Sequence, residues 1–220
     1  MVMLTQAVED YLKAIYEFQA EGGKVSTTGL SEQLDVAPAS VTGMVKKLAK
    51  MKLVVHEPYQ GVELTSAGEK IALEVIRHHR LVESYLAEAL GVSWDKVHEE
   101  ADRWEHVLSE EMEDLMDDKL GHPTTDPHGA PIPARDGSMP RSKLRRLSEL
   151  APGEAGVISE VNDHDAELLR YLGELGLFPR VKVRVISSAP FDGPVTVRIN
   201  GDKHALGREV AGQILVEPLP

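Results

Sequence analysis

The chain has 220 residues, no cysteine and a formal net charge of −12, so it exceeds the usual single-domain size, forms no disulfide and offers no thiolate to a metal. No apolar run reaches membrane-spanning length and the first residues lack a signal-peptide pattern, which predicts a soluble, cytoplasmic protein with no membrane partner. The acidity is concentrated in residues 71–130, with 5 Lys+Arg against 15 Asp+Glu, whereas residues 1–70 carry 7 against 9.

Residues 5–72 read as a winged helix-turn-helix. Val8, Tyr11, Leu12, Ile15 and Phe18 follow helical spacing after Thr5, and Gly22-Gly23 ends that helix. A short helix from about Thr28 to Asp35 follows, anchored by Leu30 and Leu34. After Val36-Ala37-Pro38 comes a third, with Val41, Val45 and Leu48 inward. Leu53-Val54-Val55, a turn through Pro58-Tyr59-Gln60-Gly61, and Val62-Glu63-Leu64 make the wing. In such a pair the second helix enters the major groove, its early residues at base edges and its lysines at phosphates. The candidate DNA-contacting residues are therefore Thr27, Pro38, Ala39, Ser40, Thr42, Gly43, Lys46 and Lys47. The alternative is a winged helix used only for protein contacts.

Residues 65–120 read as helical. Thr65 or Ser66 caps a long helix through Ile71, Val75, Leu81, Val82 and Leu86 to the stop at Gly91. A second helix is expected from about Lys96 onward, continuing through Leu108, Met112, Leu115 and Met116. On it, His98, Asp102, Glu105 and His106 stack along one stripe, because offsets of four, seven and eight return to one side. Trp104 and Val107 mark a different face as buried. His79 and Glu83 repeat the pattern at i, i+4 one helix earlier. Imidazole and carboxylate are ligands of divalent first-row metals, so the two helices form a candidate metal site built without sulfur. Solvated acidic helix faces are the plainer reading. The long apolar stripe is more than a helical pair can bury alone, and a homodimer interface is the simplest cover.

From Gly121 to Met139 the chain is rich in Pro, Gly, Asp and Thr, which predicts an extended tail; it holds Asp126-Pro127-His128-Gly129. From about Leu147, strand-like runs at 157–161, 181–186, 195–199 and 214–217, with a short helix from Ala166 to Gly173, suit a small SH3-like β-barrel. The expected fold is thus multi-domain and mainly α. It comprises a winged helix-turn-helix (1–72), a helical dimerisation and metal-binding domain with a Pro-rich tail (73–140) and an SH3-like domain (147–220).

Over nearly its whole length the chain resembles the diphtheria toxin repressor family of metal-dependent transcriptional regulators. The resemblance is carried by Glu9-Asp10-Tyr11-Leu12, Pro38 to Val45, Leu64-Thr65-Ser66-Ala67-Gly68, His78-His79-Arg80-Leu81-Val82-Glu83 and the run from Lys96 to His106. The third domain, with Leu147 to Glu154 and Leu175-Gly176-Leu177-Phe178-Pro179, is similar to the FeoA-type domain of longer members. The resemblance implies two metal sites per subunit. One would use Asp10, Asp102, Glu105 and His106 and join the DNA-binding and dimerisation domains; the other would use His79, Glu83 and His98, helped by the third domain. The iron-sensing branch has Met and Cys where this chain has Asp10 and Asp102. The shorter manganese-sensing branch has Glu at the place of Lys13. Some longer manganese regulators carry a Cys-Pro-His-Gly segment matching 126–129, which makes Asp126, His128 and Asp165 auxiliary ligand candidates.

The expected function is regulation, chiefly repression, of metal-homeostasis genes by a homodimer that binds double-stranded operator DNA when metal fixes its conformation. Without sulfur and with excess carboxylate the ligand set favours Mn²⁺, with Fe²⁺ second and Zn²⁺ or Co²⁺ binding in vitro. A metal-dependent hydrolase is the rival reading, but no second catalytic group accompanies the ligands and no small organic substrate is implied. A metal sensor acting through protein contacts alone would leave the winged helix idle.

Overall fold

Val8, Leu12 and Ile15 fall at helical spacing and are fully buried, which sets the inner face of α1 (Gln6–Ala20). The computed structural model describes residues 4–20, 22, 25–57, 61–140 and 143–219. Gly23 and the expected wing turn Pro58-Tyr59-Gln60 lie outside the described residues. The chain divides into two compact units: Met1–His79 with Trp104–Leu108 and Pro133–Ser138, and Arg80–Arg103 with Ser109–Ile132 and Met139–Pro220.

In the first unit, α1 is followed by α2 (Thr27–Gln33) and α3 (Pro38–Lys50). Ser26 caps α2, its hydroxyl accepting from Gly29 N–H, and Pro38 opens α3, where a missing N–H costs nothing. Strands β1 (Val54–Glu57) and β2 (Gly61–Leu64) pair antiparallel as the wing. One apolar core joins Leu12 and Ile15 of α1 to Leu30, Val41, Val45, Leu48, Val54 and Val62. The start of α4 (Ser66–Glu88) closes against the wing: Thr65 Oγ1 accepts from Gly68 N–H, and Thr65 N–H bonds to Leu53 C=O.

The second unit contains the rest of α4, α5 (Val97–Trp104) up to Arg103, α6 (Glu110–Leu120) and the C-terminal sheet. That sheet is antiparallel in the order β3-β8-β4-β5-β6-β7, comprising β3 (Arg145–Arg146), β4 (Ala155–Val161), β5 (Lys182–Ser188), β6 (Val195–Ile199), β7 (Asp202–Leu206) and β8 (Ile214–Pro218). Among the described residues no pairing joins β3 to β7, so the order is that of an open sheet. Its core packs Ile158, Val183, Val185, Val197 and Val216 against Leu169 and Leu172 of α7 (Ala166–Glu174). The polar strand β7 and the short α8 (Arg208–Gly212) carried no apolar pattern strong enough to read from sequence.

One expectation is corrected. The stretch from Lys96 to Met116 is not one helix. α5 stops at Trp104, Glu105 to Val107 form a turn, and α6 restarts after Ser109, whose hydroxyl accepts from Met112 N–H. Three acidic residues in the first turn of α6 favour a helix start there. The single stripe of four ligands is therefore broken between Asp102 and Glu105. Val107 is 79% exposed and Trp104 37% in the single chain, so neither marks a buried face.

At Gly68 an added Cβ would stand 2.0 Å from the Leu53 carbonyl oxygen, a backbone atom that cannot swing aside. Gly68→Ala should therefore destabilise the first unit by about 1–3 kcal/mol through forced backbone displacement. A melting temperature equal to that of the parent would contradict this contact.

Candidate metal centre and DNA-binding face

In the first unit, α1 presents Glu9, Asp10 and Lys13 towards His106 and Glu105 of the 105–107 turn. His106 Nε2 lies 2.8 Å from Asp10 Oδ1 and 3.2 Å from Glu105 Oε1, while its Nδ1 is 2.7 Å from Glu9 Oε2. One ligand atom each from Asp10, Glu105 and His106 falls within 4.8 Å of the others. Glu9 holds the far nitrogen of the ring, the arrangement by which a carboxylate orients a metal-binding histidine. Glu105 is only 3% exposed; its Oε2 meets His79 Nδ1 at 2.5 Å and Lys13 Nζ at 2.8 Å. His78 Nδ1 lies 3.2 Å from the Glu105 carbonyl, fixing the turn.

Burial works to raise the Glu105 pKa, but His106, His79 and the Lys13 charge outweigh it and hold the carboxyl below its ordinary value. For His106, burial works downward and is outweighed by Asp10, Glu105 and Glu9, which push the ring up to about 10. The cluster is thus a partly buried, mainly anionic set that favours the protonated form of its His106 imidazole.

The second unit gathers Glu83 of α4, His98 of α5, Asp126 and His128 of the 126–129 turn, and Asp163 of the β4–α7 connection. His98 Nδ1 is 3.2 Å from Glu83 Oε1 and 3.6 Å from Asp163 Oδ2. His128 Nδ1 stands 3.7 Å from both Glu83 Oε2 and Asp163 Oδ2. Those spans are too long for hydrogen bonds. His128 Nδ1 and Asp126 Oδ2 are buried without a hydrogen-bond partner. Metal–ligand bonds of roughly 2.0–2.2 Å place neighbouring donor atoms roughly 3–3.6 Å apart, so the spacing suits a central ion. The remaining atoms are already engaged: His128 Nε2 is 2.7 Å from the Trp94 carbonyl, and Asp126 Oδ1 accepts from His128 and Ala130 N–H. Gly129, at φ +91°, brings its Cα so close to Ser159 that a Cβ would sit 1.8 Å from the Ser159 carbonyl oxygen.

Burial lowers the His98 ring's tendency to hold a proton, but Asp163 and Glu83 reverse this and raise it to about 10. His128 is raised to about 9 against the same burial penalty, chiefly by Glu83. Burial and the Glu83 charge push Asp126 up to about 8. Both clusters offer only oxygen and nitrogen donors and fit a divalent cation.

The structure thus brings Asp10, Glu105 and His106 together, and Glu83, His98, Asp126 and His128 together. His79 sits with Glu105 in the first unit, while Glu83 and His98 lie in the second. Asp102 belongs to the second unit, its half-exposed carboxylate 3.7 Å from His98 Nε2. Asp165 departs from expectation: its Oδ1 caps α7 by accepting from Glu167 and Leu168 N–H, and Asp163 supplies the carboxylate instead. The polar run Asp163-His164-Asp165 was the available signal, but spacing alone did not say which carboxylate turns inward. Glu9 was missed as the partner of His106.

On α3, Pro38, Ala39, Ser40, Thr42, Gly43, Lys46 and Lys47 are all exposed, opposite buried Val41, Val45 and Leu48. Thr27, at the first turn of α2, is half-buried. Thr42 Oγ1 donates to the Pro38 carbonyl at 3.0 Å. A Cβ at Gly43 would meet nothing within 4 Å, so no interior contact demands glycine there and its absence of side chain leaves the outer face low.

Comparison with known proteins gives three consecutive family matches. Residues 3–62 match "Iron dependent repressor, N-terminal DNA binding domain", 65–134 match "Iron dependent repressor, metal binding and dimerisation domain" and 145–218 match "FeoA domain". The chain is 34% identical to the iron-dependent repressor IdeR of Mycobacterium leprae, over 97% of this chain and 98% of that protein. It is 31% identical to the diphtheria toxin repressor of Corynebacterium efficiens, over 97% and 96%. Among solved structures it is similar to a manganese-dependent transcriptional repressor in complex with manganese, with a TM-score of 0.91, 37% identity and coverage of 96% and 100%. Among the described residues no helix is long and apolar enough to cross a membrane.

Against its burial, Asp10, Glu105 and Glu9 push the His106 ring up to about 10, so a cation that took this ring as a ligand would displace a proton. Affinity for Mn²⁺ should therefore rise with pH, by roughly tenfold per unit for one displaced proton between pH 6 and 8. Titrations in weak buffer should show the matching proton release. An affinity flat across that range would contradict the protonated resting state.

Proposed function

We propose, from the premise that this chain belongs to the iron-dependent (diphtheria toxin) repressor family of metal-responsive DNA-binding repressors, that Mn²⁺ held by Asp10, Glu105 and His106 sets the DNA-competent state of a homodimer. The family is one of transcriptional repressors and not of enzymes. The observation that carries this reading is the cluster itself, with Glu105 buried and Asp10 and His106 partly so. Asp10 lies in the segment matched by the DNA-binding family and Glu105 and His106 in the segment matched by the metal-binding and dimerisation family, yet their ligand atoms lie within 4.8 Å of one another.

A bound divalent cation supplies the positive charge that lets two carboxylates and a neutral imidazole converge on one point. The protein's residues do the rest. Asp10 carries the pull into α1, whose buried face shares a core with α2 and α3. Glu9 keeps the His106 ring turned so that Nε2 faces Asp10. Glu105, buried and ionised, anchors the turn. A conformation in which α1 and this turn meet is favoured by the cation, and if operator DNA binds that same conformation the two ligands strengthen each other reciprocally.

Glu83, His98, Asp126, His128 and Asp163 form a second, supporting site on this reading, one that stabilises its own unit rather than the helix-turn-helix. Ser40 and Thr42 face base edges and Lys46 and Lys47 reach phosphates, as the exposed face of α3 supports. Mn²⁺ is preferred over Fe²⁺ because every donor is oxygen or nitrogen and the first cluster is anionic.

Operator binding measured by fluorescence anisotropy tests the assignment. Glu105→Gln should lose the Mn²⁺ response almost entirely, while Glu83→Gln should weaken it less. Equal losses would mean that both clusters act as one switch. Lys46→Ala and Lys47→Ala should each weaken binding to every sequence and flatten the salt dependence by about 0.9 in slope, whereas Ser40→Ala should change which sequences are preferred. A change at Lys46 confined to one base position would overturn its phosphate role.

Asp10→Met removes one hard anionic donor. The variant should need more Mn²⁺ for half-maximal operator binding, while its anaerobic Fe²⁺ response suffers less. Parallel shifts for both ions would show that donor type does not set the preference.

A further inference from the structure

Acidic as the chain is, with a net charge of −12, residues 180–206 carry five Lys+Arg against two Asp+Glu. Strand register gathers four of the five on one face. Arg184 of β5 stands directly opposite Arg198 of β6, and Arg198 directly opposite Lys203 of β7. Lys182, two residues before Arg184, points the same way, because side chains alternate along a strand. All four are exposed, while Val183, Val185, Val197 and Ile199 between them turn into the core. No acid interrupts the patch. On the β4 side Arg184 faces Ala155 and Lys182 faces Val157, with Glu217 one strand further on. Asp202 precedes Lys203 and so leaves the opposite face, and Asp192 sits in the β5–β6 turn, 3.7 Å from Arg208 Nε. Arg184 Nη1 donates to the neutral Gly153 carbonyl, and among the described residues none of the four cations makes an ion pair. Like charges directly opposite each other destabilise a pair of strands. A lysine on an edge strand such as β7 guards against edge-to-edge association, but that role does not extend to Arg198, which lies on an interior strand.

We propose that the outward face of β5, β6 and β7 is a second DNA contact, in which Arg184, Arg198 and Lys203 bind successive phosphates of the duplex without regard to sequence. Duplex DNA is the occupant because it is the polyanion that this family of repressors binds, and its charge spacing fits the row. Adjacent strands lie about 4.8 Å apart, so three cations on three strands span roughly 10 Å. Over that distance one DNA strand carries about three phosphates, one per 3.4 Å of axis. A sheet face of long cationic side chains puts no helix or ribbon into a groove, so it reads charge and not bases. The contact also has work to do in so acidic a protein. A net charge of −12 repels DNA at long range, and a local cluster of cations away from α3 offsets that repulsion where the phosphates are met. The phosphates in turn relieve the repulsion within the row. This role holds whichever residues carry the activating ion, since none of the four cations belongs to either ligand cluster.

The test measures binding of the full, Mn²⁺-loaded chain to a random-sequence duplex over a range of salt concentrations. Arg198→Ala combined with Lys203→Ala should weaken binding and flatten the plot of log affinity against log salt by about 0.9 for each cation removed from an engaged subunit. An unchanged slope overturns the proposal. If Lys46→Ala flattens the slope in the same assay while the double variant does not, the third-domain contact alone falls and the assignment of α3 stands. A changed number of subunits per particle without DNA, with the slope on DNA unaltered, gives the face to a second copy of this chain and overturns the DNA contact. If the double variant does not fold, Lys203→Gln on the exposed edge strand is read by the same slope: a flattening supports the contact, and none overturns it.

Discussion

A carboxylate buried from water must find positive charge, and in this protein Glu105 imposes that demand on everything near it. An ionised side chain only 3% exposed would cost several kcal/mol if left uncompensated. The first unit meets it from three directions: Lys13 from α1, His79 from α4 and the neighbouring His106. These groups keep the carboxyl ionised despite burial. Because α1 also forms the inner wall of the helix-turn-helix core, the charge balance at Glu105 and the placement of the DNA-binding helices are parts of one packing problem.

The same principle shapes the second unit with a different outcome. Glu83 and His128 are fully buried and Asp126 nearly so. Their charges are balanced by His98, by Arg80, whose Nε stands 3.6 Å from Asp126 Oδ2, and by a proton pushed onto Asp126 itself. The backbone makes this possible, since Gly129 alone allows the 126–129 turn to lie against Ser159 and hand the His128 carbonyl to Val161 N–H. A polar cluster so confined has few arrangements open to it. That rigidity is what a metal site needs, because the donors are held at their positions before an ion arrives.

Together these features describe a repressor whose switch is electrostatic rather than mechanical. In this structure Lys13, His79 and His106 balance the buried Glu105; on the proposed reading a divalent cation would compete with the proton on His106 and favour the meeting of α1 with the 105–107 turn. The proposed coupling to DNA would need no long pathway, since Asp10 and Leu12 lie on the same helix, one in the candidate ligand cluster and the other in the core that carries α3.

Much of this was legible in the chain alone. Apolar spacing located α1 to α4, Thr5 and Thr65 or Ser66 marked helix starts, and the His and carboxylate content of residues 79–106 pointed to a candidate metal site without sulfur. The recognition face of α3 followed from its three buried valine and leucine positions. Sequence periodicity failed where the chain turns: it ran a single helix through Trp104 to Ser109, because nothing in the spacing of His98, Asp102, Glu105 and His106 reveals that the backbone leaves the helix between the second and third. The family resemblance named Asp165 as an auxiliary ligand candidate, whereas the structure uses it to cap α7 and turns Asp163 into the candidate cluster, since the two roles suit the same side chain until the helix start is placed. Residue type and local spacing determine which chemistry is available, because both are properties of neighbours along the chain. Which donors converge is decided by tertiary structure, because Asp10 meets His106 across ninety-six positions and only the packing of the core brings them within 2.8 Å.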